Sequence, residues 1–250
     1  MQSTLEVLFT PAEFDALKNR DLSNTACVVF DVLRATTSML TALNNGATQI
    51  YPVKEISEAL ALRRNVAPGT LLAGERNGLR IGAAQSGGVD FDLGNSPREF
   101  NSERVAGRSI IMTTTNGTRA LQACHGARNI LVGGFLNMGA LAVWVGEHRP
   151  SGLILVGAGT FEEAAYEDTL AAGTLCELVW KHFERHTDAA TIAREIYRGV
   201  RSDPAAALAE HSTNAQRLLA IPELRDDVIF ALKGGQVPFV PEMIGGVVVR

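Results

Sequence analysis

The chain has 250 residues, of which 46% are hydrophobic and 20% charged. This balance is ordinary for a globular protein that buries a substantial core. With a formal net charge of −4, the chain lacks the excess of basic residues that is typical of nucleic-acid-binding proteins. The sequence contains no run of about 18 apolar residues, so no membrane span is predicted. The first residues also lack the pattern of a secretory signal.

Three cysteines are scattered along the chain, each within an apolar pattern: Cys27, Cys124 and Cys176. An odd, scattered set of this kind predicts buried, reduced thiols in a cytoplasmic protein. The sequence shows no repeat and no convincing linker, so we expect one domain over residues 1–250. It leaves open whether copies of the chain associate.

Apolar runs alternate with helical patterns along the first half of the chain. The capping box Thr10-Pro11-Ala12-Glu13 predicts a helix from 11 to about 19. Strands are predicted at 26–31, 47–53 and 71–73, with helices at 36–45 and 55–66. Residues 77–107 are rich in Gly, Asn, Asp and Ser and have few long apolar runs. This composition predicts a long loop that is functional or mobile. Within it, Ser96 opens another capping box and so a short helix.

The alternation continues through the second half. Strands are predicted at 109–112, 129–132 and 153–156, and a helix at 137–148. Thr160-Phe161-Glu162-Glu163 forms a further capping box. Helical patterns then run to 183 and from 187 to 232, before a last strand at 245–249. This order predicts a three-layer α/β/α fold with a largely parallel or mixed sheet.

The first candidate site is the turn after strand 109–112, which reads Thr113-Thr114-Thr115-Asn116-Gly117-Thr118. A strand that ends in such a turn before a helix suits an anion. Free N–H groups and the helix dipole face the ligand, and Gly117 lets it approach the main chain. The simpler alternative is that Thr115 or Asn116 only caps the following helix.

A second turn of the same kind follows strand 26–31. Asp31, Arg34, Thr36 and Thr37 gather there, before a helical pattern. In open α/β sheets, ligands bind at the carboxyl ends of the strands. An acid for a metal ion, an arginine for a charged oxygen group and a helix N-terminus together predict a phosphoester site.

Several common motifs are absent or incomplete. Gly157-Ala158-Gly159 lacks the third glycine of a dinucleotide-binding fingerprint, and the chain has no phosphate-loop lysine motif. His182 and His186 lack the glutamate that a zinc protease needs directly after the first histidine. The spacing from cysteine to arginine also argues against a cysteine-dependent phosphatase.

Four stretches stand in the order seen in the 2-phosphosulfolactate phosphatase family, which the chain resembles over residues 5–240. They are Phe30-Asp31-Val32-Leu33-Arg34-Ala35-Thr36-Thr37, Ala73-Gly74-Glu75-Arg76-Asn77-Gly78, Phe91-Asp92-Leu93-Gly94-Asn95-Ser96-Pro97 and Met112-Thr113-Thr114-Thr115-Asn116-Gly117-Thr118. A fifth match is Gly157-Ala158-Gly159 followed by Glu167-Asp168-Thr169-Leu170. The resemblance implies a fold peculiar to that family. It also implies a Mg²⁺-dependent phosphatase that converts 2-phospho-3-sulfolactate to sulfolactate and phosphate, a step that leads to coenzyme M in methanogens.

The matching residues fit that chemistry, because the implied substrate carries a phosphate, a carboxylate and a sulfonate. We assign catalysis to Asp31, Arg34, Glu75 and Asp168. We assign Mg²⁺ binding to Asp31, Glu75, Asp92, Glu167 and Asp168, because Mg²⁺ prefers hard oxygen ligands. We assign substrate binding to Thr36, Thr37, Arg76, Asn95, Ser96, Thr114, Thr115, Asn116, Gly117 and Thr118. The alternative for Ser96 is a helix cap. The alternative for each acid is a cap or a surface ion pair, above all for Glu167.

The sequence leaves mechanism and substrate open. Asp31 either attacks phosphorus to give an acyl phosphate or binds Mg²⁺ while a metal-activated water attacks. The same residues would serve a phosphatase of another small acidic phosphoester. A protein that only binds a phosphorylated ligand would keep the anion-binding turns but would not need the five acids.

Overall fold

Eleven strands form one mixed sheet in the computed structural model, which describes residues 2–250. The strands are β1 (Thr4–Leu8), β2 (Thr25–Phe30), β3 (Gln49–Pro52), β4 (Leu71–Arg76), β5 (Leu79–Arg80), β6 (Ser109–Thr113), β7 (Asn129–Gly133), β8 (Gly152–Gly157), β9 (Arg185–His186), β10 (Glu242–Ile244) and β11 (Val247–Val249). The helices are α1 (Pro11–Asp15), α2 (Ala35–Asn44), α3 (Ile56–Arg63), α4 (Ala83–Ser86), α5 (Ser102–Val105), α6 (Gly117–Ala123), α7 (Met138–His148), α8 (Tyr166–Val179), α9 (Asp188–Val200), α10 (Pro204–His211), α11 (Thr213–Leu219) and α12 (Arg225–Ala231).

Two groups of parallel strands meet at an antiparallel hairpin. In one group β4, β6 and β3 are parallel, and in the other β7, β2, β8, β1 and β9 are parallel. The hairpin β10–β11 lies between β3 and β7 and pairs antiparallel with both. Three antiparallel pairings therefore separate β3 from β7 in the hydrogen-bonded order, so the strands of the two groups have opposite directions and the sheet is mixed.

Helices cover both faces of this sheet. Adjacent residues of β2 belong to different buried clusters, since side chains alternate between the faces of a strand. Val29 belongs to one cluster with Leu40 of α2 and Leu121 of α6, whereas Val28 belongs to another with Leu175 of α8. A third cluster lies between α3 and strands β4 and β6. The predicted three-layer α/β/α architecture is confirmed.

Most of the predicted elements are present within a few residues of their expected bounds. The capping box at Thr10 is confirmed, because Glu13 accepts a hydrogen bond from the Thr10 N–H at 2.8 Å. The helix predicted from 11 to 19 is α1 followed by a 3₁₀ turn, Ala16–Asn19. The segment 77–107 contains β5, α4 and α5, so its many turns are anchored by short regular elements.

Two predicted capping boxes are wrong. Thr160 and Glu163 bridge each other in a turn, and α8 begins only at Tyr166. Ser96 precedes a 3₁₀ turn, but its hydroxyl donates to Asp227 at 2.7 Å instead of capping. In both cases a distant or non-helical partner competes with the local pattern. Strands β1, β5, β9 and β10 were not predicted from the sequence.

Among the helices of residues 2–250, none is long and apolar enough to cross a membrane. The longest, α8, has 14 residues and carries Glu167 and Asp168 in its first turn.

Candidate active site

The loops after β2, β4, β6 and β8 meet around a cleft of about 520 Å³ that opens to solvent. The residues that line it are Asp31, Leu33, Arg34, Glu75, Asn77, Gly78, Asn95, Thr115, Asn116, Gly159, Thr160, Phe161, Asn214, Arg217 and Leu218. Two candidate acids, one candidate arginine and three candidate polar residues are therefore brought together.

Asp31 follows β2 directly and uses its two carboxylate oxygens differently. Oδ1 accepts the N–H of Ala35 at 3.0 Å, so it caps the start of α2. Oδ2 lies against Gly117, where an added Cβ would be 2.5 Å from it. Within residues 2–250, Oδ2 accepts no hydrogen bond, which leaves it available to a ligand in the cleft.

The pKa of Asp31 is raised to about 7, chiefly because the carboxylate is removed from water. The nearby carboxylates of Glu75 and Glu167 raise this pKa further, whereas the hydrogen bond from Ala35 lowers it. A carboxyl group with so high a pKa is characteristic of a functional site.

Glu75, at the end of β4, connects two of the loops. Its Oε1 accepts both the N–H and the hydroxyl of Thr115, at 3.0 and 2.9 Å. Its Oε2 accepts the N–H of Gly78 at 2.7 Å. The N–H of Thr115 is therefore used by a carboxylate instead of being free for an anion.

Arg34 lines the cleft and forms a buried ion pair with Asp227. Its Nη1 donates to Asp227 at 2.8 Å and its Nη2 to the carbonyl of Gly78 at 2.7 Å. Asp227 is completely buried and also accepts from Ser96 and from Nε of Arg98, at 2.7 and 2.8 Å. The charge of Arg34 is thus balanced within the protein, and only its remaining N–H hydrogens can reach a ligand.

Asn95 contributes an oxygen that has no partner. Its side chain is 5% exposed and lines the cleft. Among the described residues 2–250, nothing donates a hydrogen bond to its Oδ1. A buried polar atom without a partner costs about 1–3 kcal/mol, so this amide is suited to contact a bound ligand.

Asp168 and Glu167 lie beneath the cleft and are held by the protein. Asp168 accepts the N–H groups of Val32 and Gly159, at 2.8 and 3.1 Å. Burial, together with the charges of Glu167 and Asp31, raises the pKa of Asp168 well above its usual value. The buried Glu167 accepts from Ser212 and Asn214, so the structure shows neither a surface ion pair nor a helix cap at this residue.

The predicted hydroxyl groups are mostly used inside the protein. Thr36 and Thr37 are fully buried, and they donate to the carbonyls of Asp31 and Val32 at 2.9 and 2.8 Å. Thr118 donates to the carbonyl of Thr114 at 3.2 Å. These hydroxyl groups hold the two turns in shape.

Two candidate residues lie away from the cleft. Asp92 accepts the N–H of Leu72 at 2.8 Å, near the start of β4, whereas Glu75 lies near its end. Arg76 lines a wider, adjoining cleft that shares Thr115, Asn116 and Phe161 with the first, and it donates to the Thr113 hydroxyl at 3.0 Å. No group of three or more His, Cys, Asp or Glu in residues 2–250 is arranged to hold a metal ion.

The loop after β8 contributes residues that the sequence analysis missed. Nδ2 of Asn116 donates to the carbonyls of Ala158, Gly159 and Phe161 at 3.2, 3.0 and 2.8 Å, which fixes this loop above the cleft. Phe161 has a φ of 57°, in the left-handed region that a bulky residue rarely adopts. Such an outlier had no signal in the sequence.

Helices α11 and α12 supply the other missed residues, which are Asn214, Arg217 and Asp227. The first two line the cleft, and the third pairs with Arg34. The sequence patterns of this region predicted helices and no site residues. The only available signal was a pair of polar residues three apart, at 214 and 217, on one helical face.

Carboxylates, guanidinium groups and an unpartnered amide around one cleft at the strand ends define an α/β enzyme that acts on a small anionic molecule. The chain belongs to the 2-phosphosulpholactate phosphatase family, whose model matches residues 12–246. It is therefore a phosphoric monoester hydrolase, and the family resemblance found in the sequence is confirmed.

Relatives from several bacteria agree with this assignment. A protein of Clostridium acetobutylicum named "Probable 2-phosphosulfolactate phosphatase" is 34% identical over 234 residues, covering 93% of this chain and 95% of the relative. A protein of the same name from Carboxydothermus hydrogenoformans is 35% identical, covering 95% and 92%. One from Caldanaerobacter subterraneus subsp. tengcongensis is 41% identical, covering 68% of each chain.

Proposed function

We propose that this chain hydrolyses 2-phospho-3-sulfolactate to 3-sulfolactate and phosphate, with Mg²⁺ as cofactor. The family membership supports the substrate. The observation that carries the proposal is the Asp31 carboxylate, which lines a cleft together with Glu75, Arg34 and Arg217. The cleft thus contains carboxylates that can act at phosphorus and guanidinium groups that can bind a multiply charged ester.

The residues around the cleft fit a magnesium ion. Mg²⁺ is usually bound by one or two carboxylates together with water and substrate phosphate oxygens. Asp31 and Glu75 supply the carboxylates, and the unpartnered Oδ1 of Asn95 supplies a neutral oxygen. When bound there, Mg²⁺ would neutralise charge on the phosphoryl oxygens and activate water.

The protein groups have separate tasks in this proposal. Asp31 acts at phosphorus, either as the nucleophile or by holding the cofactor. Glu75 fixes Thr115 and Gly78 at the edge of the cleft. Asn116 holds the Ala158–Phe161 loop at the edge of the cleft.

We place the reaction in the cytoplasm. Cys27, Cys124 and Cys176 are buried free thiols, as expected for a reducing compartment. A hydrogen bond with Cys27, and then burial, raise the pKa of Cys124 well above its usual value. A thiol held in its protonated form oxidises slowly.

A phosphate-release assay tests the proposed function. The panel would contain 2-phospho-3-sulfolactate, 2-phospholactate, 2-phosphoglycerate and phosphoenolpyruvate, each with Mg²⁺. We expect the highest kcat/KM for the sulfonated ester. A higher value for another member would assign the enzyme to that ester, and binding without phosphate release from any of them would indicate a ligand-binding protein.

Activity is expected to require a divalent cation. Two carboxylates in one cleft repel an anionic ester, so excess EDTA should abolish phosphate release and Mg²⁺ should restore it. The measurement is phosphate release before and after chelation, with the fold checked by circular dichroism. Full turnover in excess EDTA would rule out the cofactor.

A further inference from the structure

Arg217 carries a positive charge at the cleft, and no acid within residues 2–250 is paired with it. Its Nη2 donates to Oδ1 of Asn214 at 2.9 Å, and its Cζ is 5.9 Å from the centre of the Phe161 ring. No carboxylate lies within 4.0 Å of its guanidinium group in the described part of the chain, residues 2–250. This exposed arginine lines the cleft.

The guanidinium group of Arg34 lies close to that of Arg217, but the two differ in their ion pairing. Nη2 of Arg34 is 3.9 Å from the position that a Cβ on Gly78 would occupy, and Nη2 of Arg217 is 4.0 Å from it. Arg34 is paired with the buried Asp227. Two like charges are thus held near one glycine, and only one of them is neutralised. An anion in the cleft would neutralise the other.

The orientation of Arg217 is set by a chain of hydrogen bonds. Nδ2 of Asn214 donates to Oε1 of Glu167 at 2.9 Å and to the carbonyl of Leu33 at 2.8 Å. Glu167 in turn accepts from the Ser212 hydroxyl at 2.6 Å. With its amide nitrogen engaged twice, Asn214 presents Oδ1 to Arg217. A cation that is oriented in advance loses less conformational entropy when it binds a ligand.

We propose that Arg217 binds the sulfonate of the substrate and thereby selects esters with an acidic group on the carbon next to the phosphorylated one. The proposal rests on the proposed function. In 2-phospho-3-sulfolactate the sulfur is four bonds from phosphorus and the carboxylate carbon is three, so the sulfonate reaches furthest from the phosphoryl group. A planar guanidinium group is suited to a weakly hydrated, multi-oxygen anion.

The apolar residues near Arg217 suit the methylene group that carries the sulfonate. Leu33, Phe161 and Leu218 line the same cleft, and they offer apolar contact to the methylene that carries the sulfonate. In this assignment Glu167 and Asn214 are positioning residues. They act through Arg217 and have no contact of their own with the sulfonate.

The test compares Arg217→Met on two substrates that differ only in the sulfonate. These are 2-phospho-3-sulfolactate and 2-phospholactate, in which a methyl group replaces the sulfomethyl group. We expect kcat/KM for the sulfonated ester to fall about 10- to 100-fold, as for the loss of a charged hydrogen bond, mainly through KM. The value for 2-phospholactate should change little, and Arg217→Lys should recover part of the loss.

Arg225→Met is the matched control, since Arg225 is an exposed arginine of the neighbouring α12 that does not line the cleft. Calorimetry with 3-sulfolactate provides a readout without turnover, and its affinity should fall in Arg217→Met but not in the control. An unchanged ratio of kcat/KM between the two esters would overturn the assignment of Arg217. Wild-type protein that releases no phosphate from either ester would instead refute the proposed function.

Discussion

Asp31→Asn is expected to lower kcat by about 10³-fold, within the range seen when a group that acts at the reacting atoms is removed. The amide keeps the oxygen that caps Ala35 at 3.0 Å, but it replaces Oδ2, which accepts no hydrogen bond within residues 2–250, with an uncharged NH₂ group. The fold should therefore survive while the chemistry is lost. The measurement is kcat and KM with saturating Mg²⁺, and wild-type kcat in the variant would remove Asp31 from the chemistry.

The same variant should be more stable than the wild type at high pH in the absence of divalent cations. The native pKa of Asp31 is raised to about 7, above the value of about 3.9 for an unfolded aspartate. The native state therefore binds more protons between these values, and wild-type stability falls as pH rises from about 4 to 7. Asparagine does not titrate, so the Tm advantage of the variant should grow from pH 4 to pH 8.

A Tm that differs from wild type by the same amount at every pH would contradict a raised pKa of Asp31 in the native state. Acid quenching during turnover addresses the chemical role separately. A phosphoenzyme that forms in the wild type and is missing in Asp31→Asn would identify Asp31 as the nucleophile. Absence of a phosphoenzyme from an active wild type would favour the metal-activated water.

Local patterns were sufficient to predict the alternating elements and the strand ends. Apolar runs such as Cys27–Phe30 are buried strands, and the turns after β2 and β6 do lie together. The hairpin β10–β11 could not be predicted in its place between β3 and β7, because its pairing joins strands distant in sequence. A pattern of period two identifies a strand but not its neighbours.

Side-chain direction explains why the site was predicted only in part. Of the five acids proposed as metal ligands, Asp31 and Glu75 line the cleft, whereas Asp92, Glu167 and Asp168 accept hydrogen bonds elsewhere. All five lie close to strand ends or loops, so spacing could not separate them.

The pairs that complete the site span the chain. Arg34 and Asp227 are 193 residues apart, and Leu33 and Asn214 are 181 apart. No local motif encodes contacts of that range. Residues of α11 and α12 therefore entered the site only through the tertiary structure, although the sequence had correctly indicated that both segments are helical.

Gly117→Ala is expected to disrupt both the fold and the activity. The sequence suggested that this glycine lets a ligand approach, but the space beside it is filled by the protein. An added Cβ would lie 2.5 Å from Oδ2 of Asp31 and 2.6 Å from Cβ of Ala35. The Asp31 carboxylate could rotate away, at the expense of its place in the cleft, whereas Ala35 can move only with the backbone of α2.

We expect Gly117→Ala to lose roughly 3 kcal/mol of unfolding free energy, as in other overpacked cores. For a chain of this size the loss corresponds to a fall in Tm of about 6–12 °C. The kcat should fall as well, because Asp31 is displaced. Gly139→Ala is the matched control, since Gly139 lies on α7 with nothing within 4 Å of an added Cβ. There, alanine should leave activity unchanged and raise helix stability by up to about 1 kcal/mol. Wild-type Tm and kcat in Gly117→Ala would show that the contact between the two turns is unimportant.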